Sequence, residues 1–193
     1  RGRAARVIFA VIVTVVLSAV LSWLFAPRVR VLGYQTILIV GPVKARKWSV
    51  KKLQDYGELA VEPLAIALGD KDKDIRNNAV VALGKIGPKA ERAVPALIEA
   101  LKDKDIRNNA VVALGMIGPK AEKAVPALIE TLGEKDVGVR ENAAASLGKI
   151  GAKAISALTE ALKDKDELLR RGAAERLGMI GPKAEEAVPA LIE

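Results

Sequence analysis

Residues 74–101 read DIRNNAVVALGKIGPKAERAVPALIEAL, and residues 105–132 repeat this stretch as DIRNNAVVALGMIGPKAEKAVPALIETL, with differences at three of 28 positions. A looser third copy occupies residues 136–162, and a fourth begins near Asp166. The arginines that open the copies are separated by 31, 33 and 30 residues. Self-similarity with such a period predicts a solenoid, in which stacked units bury apolar faces that one unit cannot bury alone.

Each copy begins with the pattern of an amphipathic helix. Asp74 lies just ahead of the first apolar residue and suits the N-cap or first turn, where a carboxylate meets free backbone N–H groups. Gly87-Pro88 predicts the end of the helix, because glycine permits the terminating conformation and proline cannot continue it. The apolar stripe at i, i+4, i+8 and i+11 consists of Ile75, Ala79, Leu83 and Ile86.

A second helix pattern completes each copy. Pro95 suits the first turn of this helix, which tolerates proline. Alternatively, the helix starts nearer Ala90 and bends at Pro95. A polar Lys-Asp-Lys-Asp turn then leads to the next copy. The apolar residues of this second pattern are Val94, Leu97, Ile98 and Leu101.

These motifs resemble the HEAT-repeat superfamily, most closely its bacterial and archaeal PBS-lyase-like HEAT repeats. The resemblance covers residues 49–193 and implies an all-α solenoid of helix pairs with repeats of about 30–33 residues. The family includes lyase subunits, hydroxylases and plain scaffolds, so the resemblance specifies the fold and leaves the function open. The matching motifs are Asp74-Ile75-Arg76, Ala82-Leu83-Gly84, Ile86-Gly87 and Ala93-Val94-Pro95-Ala96-Leu97-Ile98.

Residues 7–26 form an uncharged apolar run of 20 residues. A helix of this length spans about 30 Å, the thickness of the hydrocarbon core of a bilayer. Arginines flank the run on both sides, and Trp23 and Phe25 lie near its distal end, where aromatic side chains favour the membrane interface. The run predicts a single transmembrane helix; a cleaved signal peptide and a buried soluble helix are the alternatives.

The basic residues 1–6 favour a cytoplasmic N-terminus, which would place the solenoid on the extracytoplasmic side. The fourth copy stops inside a helix pattern, and we expect more chain after Glu193. The predicted division of the chain is a basic flank (1–6), a transmembrane helix (7–26), a juxtamembrane segment (27–48), a cap repeat (49–70), repeats 71–101, 102–132 and 133–162, and a partial repeat (163–193).

The juxtamembrane segment contains the β-branched run Thr36-Ile37-Leu38-Ile39-Val40. It predicts short strands, with a hairpin turn at Gly33, or an extended segment lying against a partner. Ser49 is the predicted N-cap of the cap repeat. Apolar and basic-aromatic residues predict docking onto another membrane subunit or lipid headgroups, through Ile37, Leu38, Ile39, Val40, Lys44, Arg46, Lys47 and Trp48.

The net charge of +8 is unevenly distributed. Residues 1–48 carry eight Lys or Arg and no acid, whereas residues 49–193 carry 23 basic and 23 acidic residues. A solenoid that wrapped nucleic acid should have a net basic face, so this balance argues against nucleic acid as the partner. The Lys-Asp-Lys-Asp turns are more simply explained as solvated loops.

The chain contains no cysteine and no histidine. Disulfides, Cys/His zinc sites and histidine-based acid–base catalysis are therefore excluded. The resemblance to iron-dependent hydroxylases cannot extend to their activity, since those members use His-Glu pairs. Carboxylate-only metal sites, for example at Glu91 or Asp103, are the remaining alternative to surface acids. We expect no enzymatic activity, no cofactor and no metal.

Several residues recur at one helix position. Arginines at this period predict a salt-bridge ladder between repeats, with a ligand-binding basic ladder as the alternative. Asparagines at another position predict bonds to helix ends or neighbouring loops, with a recognition role as the alternative. Glycines 84, 115, 148 and 178 predict close helix packing. The two polar columns are Arg76, Arg107, Arg140 and Arg170, and Asn78, Asn109 and Asn142.

The function that these patterns favour is a membrane-anchored scaffold for protein–protein interaction, an accessory subunit of a larger membrane complex. Its partners would be other subunits of that complex, with the bilayer held through residues 7–26. A bilin-lyase-like or other enzyme-associated module is the first alternative, and a nucleic-acid-binding solenoid is the second.

Overall fold

The computed structural model describes residues 26–180, and every regular element in that range is helical. The predicted solenoid of helix pairs is confirmed. In chain order the α-helices are α1 (Pro27–Val40), α2 (Val43–Leu53), α3 (Val61–Ala67), α4 (Lys73–Ile86), α5 (Val94–Ala100), α6 (Arg107–Ile117), α7 (Val125–Glu130), α8 (Val137–Ile150), α9 (Ala152–Ala161) and α10 (Glu167–Ile180).

The even-numbered helices form one layer and the odd-numbered helices form the other. Helix α4 packs beside α6, and α6 beside α8, while α3, α5, α7 and α9 line up behind them. In three units a 3₁₀ helix leads from the first helix into the second. These 3₁₀ helices are Gln54–Ala60, Gly87–Ala93 and Gly118–Ala124; a further short one, Thr131–Gly133, follows α7.

Glycine ends the first helix of three pairs, at Gly87, Gly118 and Gly151, and in the first pair Gly57 lies within the 3₁₀ helix that follows α2. Gly57, Gly87, Gly118 and Gly151 have φ values of 53°, 66°, 68° and 100°, a region that other residues rarely adopt. Helix α5 begins at Val94 with a proline in its first turn, which confirms the simpler of the two readings of this helix. The Gly-Pro pair therefore stops one helix and starts the approach to the next.

Leucines fill the space between the two layers. Each pair contributes a completely buried leucine from its first helix and another from its second. Burial of one such side chain stabilises the fold by about 1.5–3 kcal/mol. The leucines are Leu53 and Leu64, Leu83 and Leu97, Leu114 and Leu128, and Leu147 and Leu158.

The even-numbered layer depends on a contact between glycine and a small residue of the next helix. A Cβ placed on Gly84 would lie 3.2 Å from the Cα of Ala113, and one on Gly115 would lie 2.9 Å from the Cα of Ser146. Any larger residue would push the helices apart. The predicted packing role thus holds at these two glycines, whereas Gly148 faces the guanidinium of Arg176.

The predicted strands in the juxtamembrane segment are wrong, because residues 27–40 form helix α1. The β-branched composition of the run predicts a strand, but the inward residues of the segment follow the helical period. Val31 and Leu38 are buried, and Tyr34 packs against the core between them. Burial against the next helices overrides the β propensity of the run.

The first helix pair also begins earlier than predicted. Helix α2 starts at Val43, directly after Gly41-Pro42, and Ser49 is buried inside it instead of capping its start. Residues 43–67 therefore form a full pair in which Gly57 takes the place of Gly87.

The predicted membrane span at residues 7–26 lies outside the described residues, except for Ala26 at the start of α1. Among the helices within residues 26–180, none has the length and apolar character needed to cross a bilayer.

Gly115→Ala should lower the free energy of unfolding by about 1–3 kcal/mol, because the added methyl group meets the backbone of Ser146. Gly148→Ala is the matched control one repeat later, where only a flexible arginine side chain lies nearby. Its better helix propensity should leave the stability unchanged or raise it by up to about 1 kcal/mol. Thermal unfolding followed by circular dichroism compares the two, and equal losses would contradict the packing argument.

Candidate interaction surfaces

The arginine column connects neighbouring repeats. Nη1 of Arg76 donates to the carbonyl oxygens of Asp70 and Lys71, 3.0 and 3.1 Å away, and so closes the turn ahead of its own helix. Its Nε donates to the carboxylate of Asp103 in the following turn at 2.7 Å, and Nη2 lies 3.3 Å from Asp105. One side chain therefore fixes two successive turns.

The same arrangement recurs on both sides of Arg76. Arg107 reaches Glu134 of the following turn at 2.6 Å, and Arg46 reaches Asp70 at 2.8 Å. Arg46 precedes Arg76 by 30 residues and is the first member of the column. The sequence places Arg46 in the docking segment as part of a basic-aromatic cluster, because the first predicted helix begins only at Ser49, whereas α2 begins at Val43.

The column changes at α8. Nη1 of Arg140 still donates to the carbonyl oxygens of Glu134 and Lys135, at 2.8 and 3.0 Å. Arg170 closes its own turn in the same way, through Asp164. No acid within residues 26–180 forms an ion pair with Arg140, so this arginine lacks the forward contact that the three before it make.

Asparagine pairs link α4, α6 and α8, but not as one column. Nδ2 of Asn109 donates to Asn77, and Nδ2 of Asn142 donates to Asn108 at 2.8 Å. Asn78, the first predicted member, is exposed instead. The doubled asparagine in the first two copies was the signal for this pairing, since residues at adjacent positions on neighbouring helices can meet diagonally.

The predicted docking residues are divided between the interior and the surface. Leu38 is buried in the core. Lys47 donates to Asp74 at 2.7 Å and lies 3.2 Å from Asp72. Hydrogen bonds with these two carboxylates raise the pKa of Lys47. Leu38 and Lys47, like Arg46 above, therefore contribute to the fold of the chain.

The exposed members belong to the outer face of α1. Ile39 and Val40 are 63% and 77% exposed, and Leu32, two helical turns earlier, is 60% exposed. Ile39 also lines a shallow groove together with Ile66 of α3. These four residues are the α1 surface. The strand reading of the sequence could not predict Leu32 or Ile66, because it did not place them near Ile39.

Two other predicted docking residues remain exposed near α2. Trp48 is exposed, and its ring packs edge-on against that of Tyr34 with the centroids 5.4 Å apart. Lys44 is exposed in the first turn of α2. Ile37 is only half-buried.

The carboxylates considered as metal ligands take part in ion pairs. Asp103 pairs with Arg76, and Glu91 pairs with Lys120 of the next repeat at 3.1 Å. Glu122 and Lys153 repeat this second pair at 2.7 Å, and the hydrogen bond from Lys153 lowers the pKa of Glu122. In the part of the chain that the structure describes, no group of three acids is placed to hold a metal ion.

A family model for HEAT repeats matches residues 41–115, 95–159 and 126–193, which together are more than half of the chain. The chain belongs to the HEAT-repeat family. The first match of this HEAT-repeat chain begins at residue 41, next to the start of α2, in agreement with the early first pair. No curated protein sequence matches the chain.

Solved structures support the same fold. A chain of the CpcE–CpcF complex of phycocyanin lyase from Nostoc is 27% identical, with a TM-score of 0.56 over 81% of this chain and 65% of that chain. A designed armadillo repeat protein in complex with the peptide (KR)4 is 19% identical, with a TM-score of 0.53 over 83% and 89%. An archaeal HEAT-like repeat protein from Thermococcus onnurineus is 18% identical, with a TM-score of 0.52 over 77% and 66%.

Arg107→Ala should lower the free energy of unfolding by about 1–2 kcal/mol, because it removes a largely buried side chain that bonds two turns. Lys102→Ala breaks an exposed pair with Glu99 and should change the stability by less than about 1 kcal/mol. Thermal unfolding measures both. Partner binding by folded Arg107→Ala should be retained; lost binding at an unchanged melting temperature would assign the column to a ligand.

Proposed function

We propose that the protein is a membrane-anchored scaffold that holds other proteins as an accessory subunit of a membrane complex. HEAT-repeat solenoids are suited to protein interaction, since stacked helices present an extended surface. The observation that carries the membrane part is the exposed α1 surface next to the apolar run of residues 7–26.

The α1 surface is too apolar to be left in water without a partner. Leu32, Ile39 and Val40 lie on one face of a helix that starts one residue after the apolar run ends. Contiguous exposed apolar side chains mark contacts with proteins or membranes. Because α1 is tied to the proposed anchor, its neighbours would be membrane proteins or the bilayer surface.

Charge near the anchor supports the same location. Arg28, Arg30 and Lys44 lie on or beside α1, and no acid occurs before Asp55. Basic residues next to a span attract anionic lipid headgroups or an acidic partner. The arginines of residues 1–6 favour a cytoplasmic N-terminus, which would place the repeats on the extracytoplasmic side.

The proposal includes no catalytic activity of the chain itself. The sequence supplies no histidine or cysteine, and the acids considered as ligands take part in ion pairs between repeats. We therefore propose that the chain positions other proteins, through a surface whose shape is fixed by the stacked repeats.

Full-length protein should stay in the pellet when membranes are extracted with alkaline carbonate, because a spanning helix is held by its burial in hydrocarbon. The control is Ile12→Arg with Val16→Arg, since each charge near the helix centre opposes insertion by about 2.5–3.5 kcal/mol. This variant should appear in the supernatant. Release of the unaltered chain would rule out a spanning anchor.

Ile39→Asp with Val40→Asp should detach the protein from its complex and leave the repeats folded, because both side chains are exposed. The measurement is the yield of integral membrane proteins that co-purify from detergent-solubilised membranes. Asn108→Asp with Ser156→Asp is the control, because it adds two carboxylates at exposed positions away from α1. If the Ile39→Asp, Val40→Asp variant gave the same yield as the unaltered protein, the α1 surface would be excluded as the docking site.

The likeness to the phycocyanin lyase chain from Nostoc favours a second candidate, an enzyme-associated module. The same pull-down separates the candidates. Integral proteins without pigment support the scaffold, and a bound visible-light chromophore supports the lyase-like module. Nucleic acid that is released by salt would support the nucleic-acid-binding alternative instead.

A further inference from the structure

The junction between α8 and α10 lacks the close contact that joins the earlier helices. The residue that packs on the glycine of the preceding helix is Ala113 in α6 and Ser146 in α8, but Arg176 in α10. A guanidinium needs far more room than a methyl or hydroxymethyl group, so α10 stands away from α8. A cleft of about 680 Å³ opens between these two helices.

Two arginines in this cleft form no ion pair with any acid among residues 26–180. Arg140 closes its own turn but makes no ion pair within residues 26–180, unlike Arg46, Arg76 and Arg107. Nε of Arg176 is buried and has no hydrogen-bond acceptor among residues 26–180. A buried donor without an acceptor costs free energy, so Arg176 favours an incoming anion. Within the same residues Arg140 bonds backbone carbonyls only, and its positive charge can pair with a second carboxylate.

Apolar side chains border the same cleft. Val137, Leu168 and Met179 line it and are exposed, and Leu132 contributes from the preceding turn. The other charges in the cleft are an internal pair, Arg171 with Glu175 at 2.9 Å, and Glu141. The cleft thus offers two guanidinium groups that form no ion pair within residues 26–180, beside exposed aliphatic surface.

We propose that the cleft between α8 and α10 binds an extended acidic peptide segment of a partner, with carboxylates on Arg140 and Arg176 and aliphatic side chains on Val137, Leu168 and Met179. Its volume lies in the range of about 300–1,000 Å³ that is typical of ligand pockets. An extended strand alternates its side chains, which suits a site with charged and apolar sides. This inference names the partner chemistry of the proposed scaffold and so rests on that function.

The chain's own residues 181–193 are a competing occupant, because they contain Glu185 and Glu186. Their sequence GPKAEEAVPALIE resembles that of residues 87–99. Residues 87–99 lead into and form most of α5, in the layer of odd-numbered helices and away from the cleft. Whether this segment competes with the peptide is measured below.

The test uses the full chain in phosphatidylcholine nanodiscs, with empty nanodiscs as the blank. A fluorescein-labelled peptide of four Glu-Leu repeats should bind saturably by fluorescence anisotropy, and one of four Lys-Leu repeats should not. Arg176→Met keeps the bulk that holds the cleft open but removes the charge. It should weaken Glu-Leu binding roughly ten- to hundredfold, the effect of a lost charge-assisted hydrogen bond.

Arg92→Met is the matched control, since Arg92 is exposed in the second-helix layer outside the cleft, and it should bind the peptide as the unaltered chain does. Leu168→Glu gives an independent check, because the side chain is exposed and the added carboxylate should repel the peptide. Equal affinity of the Arg176→Met and unaltered proteins, or equal binding of the Lys-Leu peptide, would overturn the proposal. Tighter binding after Glu185→Gln with Glu186→Gln would show that the chain's own tail fills the cleft.

The peptide assay reports on the cleft, and the pull-down with the α1 variant reports on the docking site. Loss of the complex in the α1 variant together with peptide binding in the cleft would support both proposals. Peptide binding with an intact complex in the α1 variant would reject only the docking site, and absent peptide binding would reject only the cleft.

Discussion

The structure depends on how closely α4, α6 and α8 approach one another. Gly84 and Gly115 bring the backbone of one helix to within van der Waals contact of Ala113 and Ser146 on the next. This spacing lets the leucines between the layers close the core and brings Arg76 and Arg107 within reach of an acid in the following turn. Packing and electrostatics therefore share one repeat distance, and a change in that distance weakens both.

The α8–α10 junction illustrates this coupling. Arg176 occupies the position of the small residue, and at the same junction Arg140 forms no ion pair with an acid among residues 26–180. One substitution in the repeat pattern coincides with the loss of the tight helix contact and of the ion pair. The cleft therefore lies where the repeat pattern is interrupted. An interruption of an otherwise consistent sequence pattern is expected at a functional site.

The sequence predicted the features that depend on the period of the repeat. The repeat length, the glycine stops and the spacing of the arginines follow from near-identical copies, because each copy repeats the same contacts. Helix α1 was not predictable in this way. Its β-branched residues favour strands locally, and only burial of Val31, Tyr34 and Leu38 against other helices selects the helical period. The α1 surface and the α8–α10 cleft were missed because both depend on which neighbour a residue meets.

Every arginine of the column bonds backbone carbonyls of the turn that precedes its own helix. The members up to Arg107 also pair with an acid in the turn that follows. This gives the stack a polarity from its first repeat to its last. Nearest-neighbour contacts carry nearly all of the cohesion of a solenoid, so its strength under load is that of its weakest junction. Within residues 26–180 the α8–α10 junction lacks both the glycine contact and the forward ion pair, so we expect a pull along the repeats to separate α8 from α10 before it separates α4 from α6.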